Sequence, residues 1–283
     1  MIYITPSTEL FNILGYSVQT WGLIVAFGGL ISLFLVLRKA KQKNIFNEMQ
    51  TLIVYIIIAS LVCARLAYII INPSEFSSFW SFFEIWKGGV ISYGMIFGGI
   101  LGIIFFKLFT KITTNELEEL LDLAAPYFIL AIAIGRIGCF LRGCCFGLPS
   151  ELPWAVVYAG ESFSRSAGLN SVHPTQIYHS ILDFIIFIIL LRINKKKEYL
   201  EKRKQESKFD LFNKKGSTFL LFLLLYSAER FFIDFLRWHS PTEYIGRITI
   251  TQIIFLFIFV VTFSILLKKK NKKRKKQEIN NHR

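Results

Sequence analysis

The sequence predicts an all-α, polytopic membrane protein with seven transmembrane helices, its N-terminus outside and its C-terminus cytoplasmic. Three observations predict it. Hydrophobic residues make up 53% of the 283 residues and charged ones 18%, with a mean hydropathy of +0.49. The apolar residues gather into runs of about 20, the length needed to cross about 30 Å of hydrocarbon. Basic residues lie in blocks between alternate runs, so the formal charge of +14 reads as topology signals and anionic-lipid contacts, not as a nucleic-acid surface. This apolar content excludes disorder and collagen, and four cysteines are too few for a disulfide-stapled secreted scaffold.

The runs follow in order. Trp21–Leu37 is the first, ended by Arg38 and Lys39, and Thr51–Ile71 the second. Gly88–Phe109 and Leu120–Phe140 flank a short polar link. Pro174–Ile193 opens on a proline, which suits a first helical turn, and Ser217–Leu236 and Ile248–Leu267 complete the set. All are too long and too continuously apolar for the alternating strands of an outer-membrane barrel.

Orientation follows from Lys and Arg. Segments 38–50, 107–119, 192–216 and 268–283 carry 25 of the 33, which places these four in the cytoplasm. The domain organisation is then one transmembrane domain over 1–267, with an outer loop over 142–173 and a basic cytoplasmic loop over 194–216, and a basic tail over 268–283. No Lys or Arg precedes Arg38, so the first run lacks the start of a cleavable signal peptide. Trp21, Trp80, Trp86, Trp154 and Trp238 all fall at expected outer segments, as interfacial rings do.

Chemistry is expected where polarity is expensive. A central intramembrane arginine costs about 2.5–3.5 kcal/mol on insertion scales, so Arg65, Arg136, Arg230 and Arg237 need partners or a function. Arg230, Asp234 and Arg237, at i, i+4 and i+7, are expected on one helical face. Gly135-Arg136-Ile137-Gly138-Cys139 runs through Arg142 to Cys144-Cys145-Phe146-Gly147 at the outer end of the fourth run, where a guanidinium fork suits a pair of phosphate oxygens. His173-Pro174-Thr175-Gln176-Ile177-Tyr178 opens the fifth run from outside. The three motifs describe a cationic, hydrogen-bonding pocket at lipid-phosphate depth.

Cys139, Cys144 and Cys145 leave three readings open: metal ligands with His173, a disulfide on the outer face, or small polarizable packing residues. Their spacing is unlike Cys-x-x-Cys pairs, and no metal is expected. Cys63 is expected to be buried packing. Asp122 and Asp183 are expected to pair with an arginine or a helix polar group. A proton-coupled transporter would use such carboxylates directly; it would also need a polar path across the bilayer, whereas Ile253 to Leu267 is almost wholly apolar.

These residues resemble the bacterial prolipoprotein diacylglyceryl transferase family over essentially the whole chain. The resemblance rests on Trp21-Gly22, Ala64-Arg65-Leu66-Ala67-Tyr68, Gly88 to Gly94 leading into Gly98-Gly99, Asp122, Gly135-Arg136-Ile137-Gly138, His173 to Tyr178, Arg230 to Arg237 and Gln252. It implies a multi-pass protein of the bacterial inner membrane with its active site toward the outer leaflet. The implied reaction transfers the diacylglyceryl group of phosphatidylglycerol to the lipobox cysteine of a prolipoprotein signal peptide, giving a thioether and glycerol phosphate, without metal or organic cofactor. Besides these two substrates, the implied partners are membrane lipids and no nucleic acid.

By motif, Arg136 and Arg230 would bind phosphate and stabilise the transition state, with Asp234 and Arg237 orienting Arg230. Gln176 and Tyr178 would line the pocket, and Trp21, Arg65, Cys139, Cys144 and Gly147 would contribute to substrate binding. The chain has Trp21, Cys139 and Cys144 where the family commonly has Tyr, Asn and Glu, and Tyr93 where a frequently discussed catalytic histidine stands. With an ordinary pKa near 10, Tyr93 is expected to hydrogen-bond, and His173 is the better proton acceptor. The departures also keep open a relative with altered or lost transferase activity.

Overall fold

The computed structural model describes residues 2–5, 9–13, 16–73, 82, 92–158, 171–203 and 214–281. Each of the seven apolar runs contains a helix: α1 (Thr20–Gln42), α2 (Phe46–Ile71), α3 (Ser92–Phe109), α4 (Thr114–Arg142), α5 (Thr175–Arg203), α6 (Ser217–Asp234) and α7 (Ile250–Asn281). Five of them, α1, α2, α4, α5 and α7, are long and apolar enough to cross a membrane. α3 is apolar over Tyr93–Phe109; Gly88, where its run was expected to begin, lies outside the described residues, as do Trp80 and Trp86. α6 is an 18-residue helix that carries Glu229, Arg230 and Asp234 in its last two turns.

Large apolar side chains stay on the helix exteriors. Phe27, Leu30 and Phe34 on α1, and Val54, Ile57, Ile58 and Leu61 on α2, are all exposed at three- and four-residue spacing. Such stripes fit hydrocarbon and would be costly in water.

The chain forms two compact units, Leu37–Leu120 and the combination of Met1–Val36 with Leu121–Arg283. In the first, α3 lies against α2 through Gly94, Gly98 and Gly102. A Cβ on Gly102 would sit 2.7 Å from the Ile56 Cα, so only small residues permit this approach, as is common where helices pack in lipid. Cys63 is half-buried on α2.

In the second unit a core of Ala125, Ile129 and Leu130 from α4, Ile186, Phe187 and Leu190 from α5, and Leu221 and Phe222 from α6 binds three helices together. One buried carboxylate reinforces it. Asp122 Oδ2 accepts from Lys197 Nζ and Gly216 N, both at 2.9 Å, and Oδ1 accepts from Phe219 N at 2.8 Å. Gly216 begins α6 without a side-chain cap of its own, so Asp122 from α4 supplies the anion that the helix N-terminus favours. The pairing expected for Asp122 is thus with Lys197 and with α6.

Three two-stranded ladders were not anticipated. β1 (Ile2–Ile4) runs parallel to β4 (Val156–Tyr158), β2 (Glu9–Ile13) pairs antiparallel with β3 (Tyr16–Gln19), and β5 (Tyr244–Ile245) with β6 (Ile248–Thr249). Isolated bridges add Gly147 to Arg237 and Val172 to both Pro149 and Val156. Val156, Tyr158 and Val172 are buried there against Ile4, Phe140 and Phe146, so the described parts of the 142–173 loop form a packed cap over the end of α4, the start of α5 and the end of α6.

Candidate active site

α4 ends in a turn whose backbone is set by two left-handed residues, Gly143 (φ 72°) and Cys145 (φ 63°). For cysteine this conformation is unfavourable, and neighbours hold it. Thr175 Oγ1 donates to the Cys145 carbonyl at 2.8 Å, and Gln176 Nε2 donates to the Cys144 carbonyl at 2.6 Å and to Tyr158 Oη at 3.2 Å. Through its amide nitrogen Gln176 pins this turn from the buried start of α5. The turn gathers the sulfurs of Cys139, Cys144 and Cys145 within 4.8 Å of one another. All three are free thiols in this structure. Hydrogen bonds from Cys139 and Cys144 hold the Cys145 thiol well below its usual range, with the guanidiniums of Arg237 and Arg136 adding to the effect.

Gly147 sits where three segments meet. A Cβ there would lie 2.5 Å from the Leu236 carbonyl oxygen and 2.6 Å from the His173 Cβ. Its N–H donates to the His173 carbonyl at 2.9 Å. Its place is thus the close packing of the cap. Trp21 lies beneath the Arg142 guanidinium, 5.5 Å from ring centroid to Cζ.

His173 precedes α5 at the cap. Its Nδ1 lies 3.3 Å from Tyr178 Oη, which also accepts from Trp154 Nε1 at 2.8 Å. Burial lowers the pKa of His173, which favours the neutral ring. Arg65 and Tyr93 belong to the Leu37–Leu120 unit. Arg65 is buried, donates from Nε to the Phe82 carbonyl at 3.0 Å and lies over the Tyr68 ring; Tyr93 is exposed at the start of α3.

The charged centre lies between α4, α5 and α6. Arg136, half-buried near the end of α4, interacts electrostatically with Tyr226, Cys139, Cys145 and Asp183. Arg230, buried on α6, is in the same field, beside Tyr226, Arg136, Arg237 and Glu229. Its guanidinium also lies over the Phe255 ring of α7 at 5.4 Å. Among the described residues, no carboxylate oxygen comes within 4.0 Å of Arg136, Arg230 or Arg237.

The carboxylates are taken elsewhere. Glu229 meets Nδ1 of His179. Asp234 is 3.0 Å from His239 Nε2 and accepts from Thr249 Oγ1. Among the described residues, Asp234 therefore forms no ion pair with Arg230 or Arg237, although spacing expects the three on one helical face. The last turn of α6 tightens, with Phe235, Leu236 and Arg237 N–H groups bonding three residues back. Arg237 leaves the helix for its bridge to Gly147, its Nε buried without a hydrogen-bond partner among the described residues. Asp183 is fully buried, and neither carboxylate oxygen has a hydrogen-bond partner among the described residues. Arg136 and Arg230 act on it only through space, which replaces the direct pairing expected for it.

Among the described residues, Arg136, Arg230 and Arg237 thus keep their charges without a carboxylate at ion-pair distance, beside α4 and α5, two helices long and apolar enough to cross a membrane. The family model for prolipoprotein diacylglyceryl transferase matches residues 8–268. The chain belongs to this family. It is similar to the phosphatidylglycerol–prolipoprotein diacylglyceryl transferase of Clostridium tetani, 30% identical over 89% of this chain and 93% of the relative. It is also similar to the enzyme named phosphatidylglycerol–prolipoprotein diacylglyceryl transferase 2 of Clostridium perfringens, 32% identical over 88% and 90%. A third relative, from Thermotoga maritima, is 31% identical over 88% and 80%.

Within this diacylglyceryl transferase fold, two residues of the centre escaped the sequence reading. His179 lies four residues past Thr175, on the buried face that also carries Gln176 and Asp183. Glu229 directly precedes Arg230 in an apolar run, and that placement of a carboxylate at membrane depth was the available signal for it.

Proposed function

We propose that this protein transfers the diacylglyceryl group of phosphatidylglycerol to the lipobox cysteine of prolipoproteins. The observation that carries the reading is that Arg136, Arg230 and Arg237 have no carboxylate within 4.0 Å among the described residues. At the depth of a helix bundle they suit the phosphate of a lipid headgroup, and Arg presents a fork that matches paired phosphate oxygens. The relatives' names supply the lipid and the protein substrate.

In the reaction, the lipobox sulfur forms a bond to the glyceryl carbon that carries the phosphate ester. The carbon–oxygen bond breaks, and glycerol phosphate leaves with the bonding electrons. Arg136 and Arg230 hold the phosphate and stabilise the charge that develops on it in a water-poor site. Their field also favours the substrate thiolate. His173 accepts the thiol proton: with Nδ1–H donating to Tyr178 Oη, Nε2 keeps its lone pair. Trp21, Cys139, Cys144, Tyr178 and Gly147 shape the lipid and peptide sites directly or by packing. Arg65 as a substrate-binding residue and Tyr93 as a hydrogen-bonding one belong to the same proposal on the strength of the family resemblance. Gln176 acts by holding the cysteine turn.

The membrane arrangement belongs to the same proposal. Seven spans form one domain over 1–267 in the bacterial cytoplasmic membrane. The basic segments 38–50, 107–119, 192–216 and 268–283 face the cytoplasm, and the site opens to the outer leaflet, where signal peptides arrive laterally. The distribution of Lys and Arg supports this orientation.

The test is the mass of a lipobox peptide after incubation with purified protein and phosphatidylglycerol. A diacylglyceryl mass gain that Arg136→Ala and Arg230→Ala abolish is expected. No gain with well-folded protein overturns the reading.

A further inference from the structure

We infer that His179, backed by Glu229, is a positioning residue for the Arg230 guanidinium. The inference rests on the transferase reading. His179 Nε2 lies 2.9 Å from Arg230 Nη1. A guanidinium only donates, so Nε2 must present its lone pair, and the ring proton sits on Nδ1, where it meets the Glu229 carboxylate. Proton placement along this chain is thus fixed by chemistry: Arg230 donates to His179, and His179 donates to Glu229. His179 and Glu229 are both buried, so neither contact is diluted by water.

The insertion of an imidazole between carboxylate and guanidinium has a functional consequence. A direct Glu–Arg fork would occupy two guanidinium N–H groups and cancel the charge that a phosphate needs. Through the ring, Glu229 fixes the orientation of one Nη1–H and leaves the rest of the fork to a ligand. Phe255 fixes the plane of the guanidinium from the opposite helix. Glu229 precedes Arg230 on α6 and so points to a different azimuth of the helix; His179 on α5 closes the circuit between the two.

The experiment is a double-mutant cycle on the full-length protein in phosphatidylglycerol-containing micelles. His179→Ala is expected to lower kcat by about 100-fold, the loss that accompanies a small misplacement of a catalytic group, with KM for phosphatidylglycerol nearly unchanged. His179→Gln restores part of it, because a side-chain amide offers an acceptor to Arg230 and a donor to Glu229. In an Arg230→Lys background, His179→Ala costs no more than about threefold, since coupled residues are not additive. Equal losses in both backgrounds, or no loss in the parent, overturn the inference.

A second arm does not depend on turnover. Nitrogen-15 spectra of the four histidines, assigned with His179→Gln, are expected to show His179 as the neutral Nδ1–H tautomer; an Nε2–H tautomer overturns the inference. If the parent transfers no diacylglyceryl group, the transferase reading fails, while the tautomer still decides whether His179 holds Arg230.

Discussion

Glu229 and Arg230 are neighbours in sequence and opposite in charge, yet their side chains meet only through the imidazole of His179. The same device recurs at Asp234, whose partners are His239 and Thr249. Histidine and hydroxyl groups meet these two carboxylates, and Arg230 between them has no carboxylate within 4.0 Å among the described residues. A membrane interior makes this division effective, because interactions there are weakly screened.

Arg136 provides the first prediction. It reaches the centre from α4 without a side-chain hydrogen bond among the described residues. Arg136→Ala should lower kcat/KM by about 10²–10³-fold, the range for loss of one preorganised donor to a developing oxyanion. Arg136→Lys should recover only a minor part, since an ammonium cannot present the planar fork. Initial rates of diacylglyceryl transfer check both, and no change in the folded protein's melting temperature should accompany them.

The contrast between Arg136 and Asp234 shows what the sequence conveys. Apolar run length located all seven helices, and the glycine-arginine and His-Pro motifs pointed to the ends of α4 and α5. Helical periodicity then failed at Arg237, because three-residue bonds tighten the end of α6 and the bridge to Gly147 draws the chain away. Asp234 instead meets His239, five residues on and ahead of β5, and Thr249, 15 residues on in β6. Such partners depend on how a loop folds back, which no local period encodes. Gln176 entered through the His-Pro motif, and its bond to the backbone of Cys144 again depends on a loop that folds back.

Asp122 supplies the second prediction. It accepts Lys197 and two backbone N–H groups at the start of α6, and its side chain is only 10% exposed. Asp122→Ala leaves the Lys197 ammonium and the α6 N-terminus without their anion, so a loss of about 3–5 kcal/mol is expected. Thermal unfolding in detergent measures it. Activity per folded molecule should stay near the parent value.

The third concerns Gly147. An added methyl meets the Leu236 carbonyl and the His173 Cβ at 2.5–2.6 Å, and both belong to the backbone-bonded cap. Gly147→Ala should cost about 1–3 kcal/mol, typical of overpacking, and should raise the rate at which protease cuts the 142–173 loop. A variant as stable and as resistant as the parent would refute the packing role.

The last prediction concerns pH. Burial alone would lower the pKa of His239, but contacts with Asp234 and Glu243 outweigh it and raise the pKa. A histidine whose folded pKa lies above its unfolded value, about 6.5, stabilises the fold fully below that value, and the contribution fades as pH rises through the folded pKa. Glu243 runs the opposite way. Burial would raise it, but hydrogen bonds from His239 and Ser240 lower it, so its contribution is present above the ordinary carboxylate range and is lost in acid. Together they make the turn between α6 and α7 most stable between these two limits. Melting temperature should therefore fall from pH 6 toward alkaline pH, and His239→Gln should flatten that fall. A slope unaffected by His239→Gln would show that other groups control it.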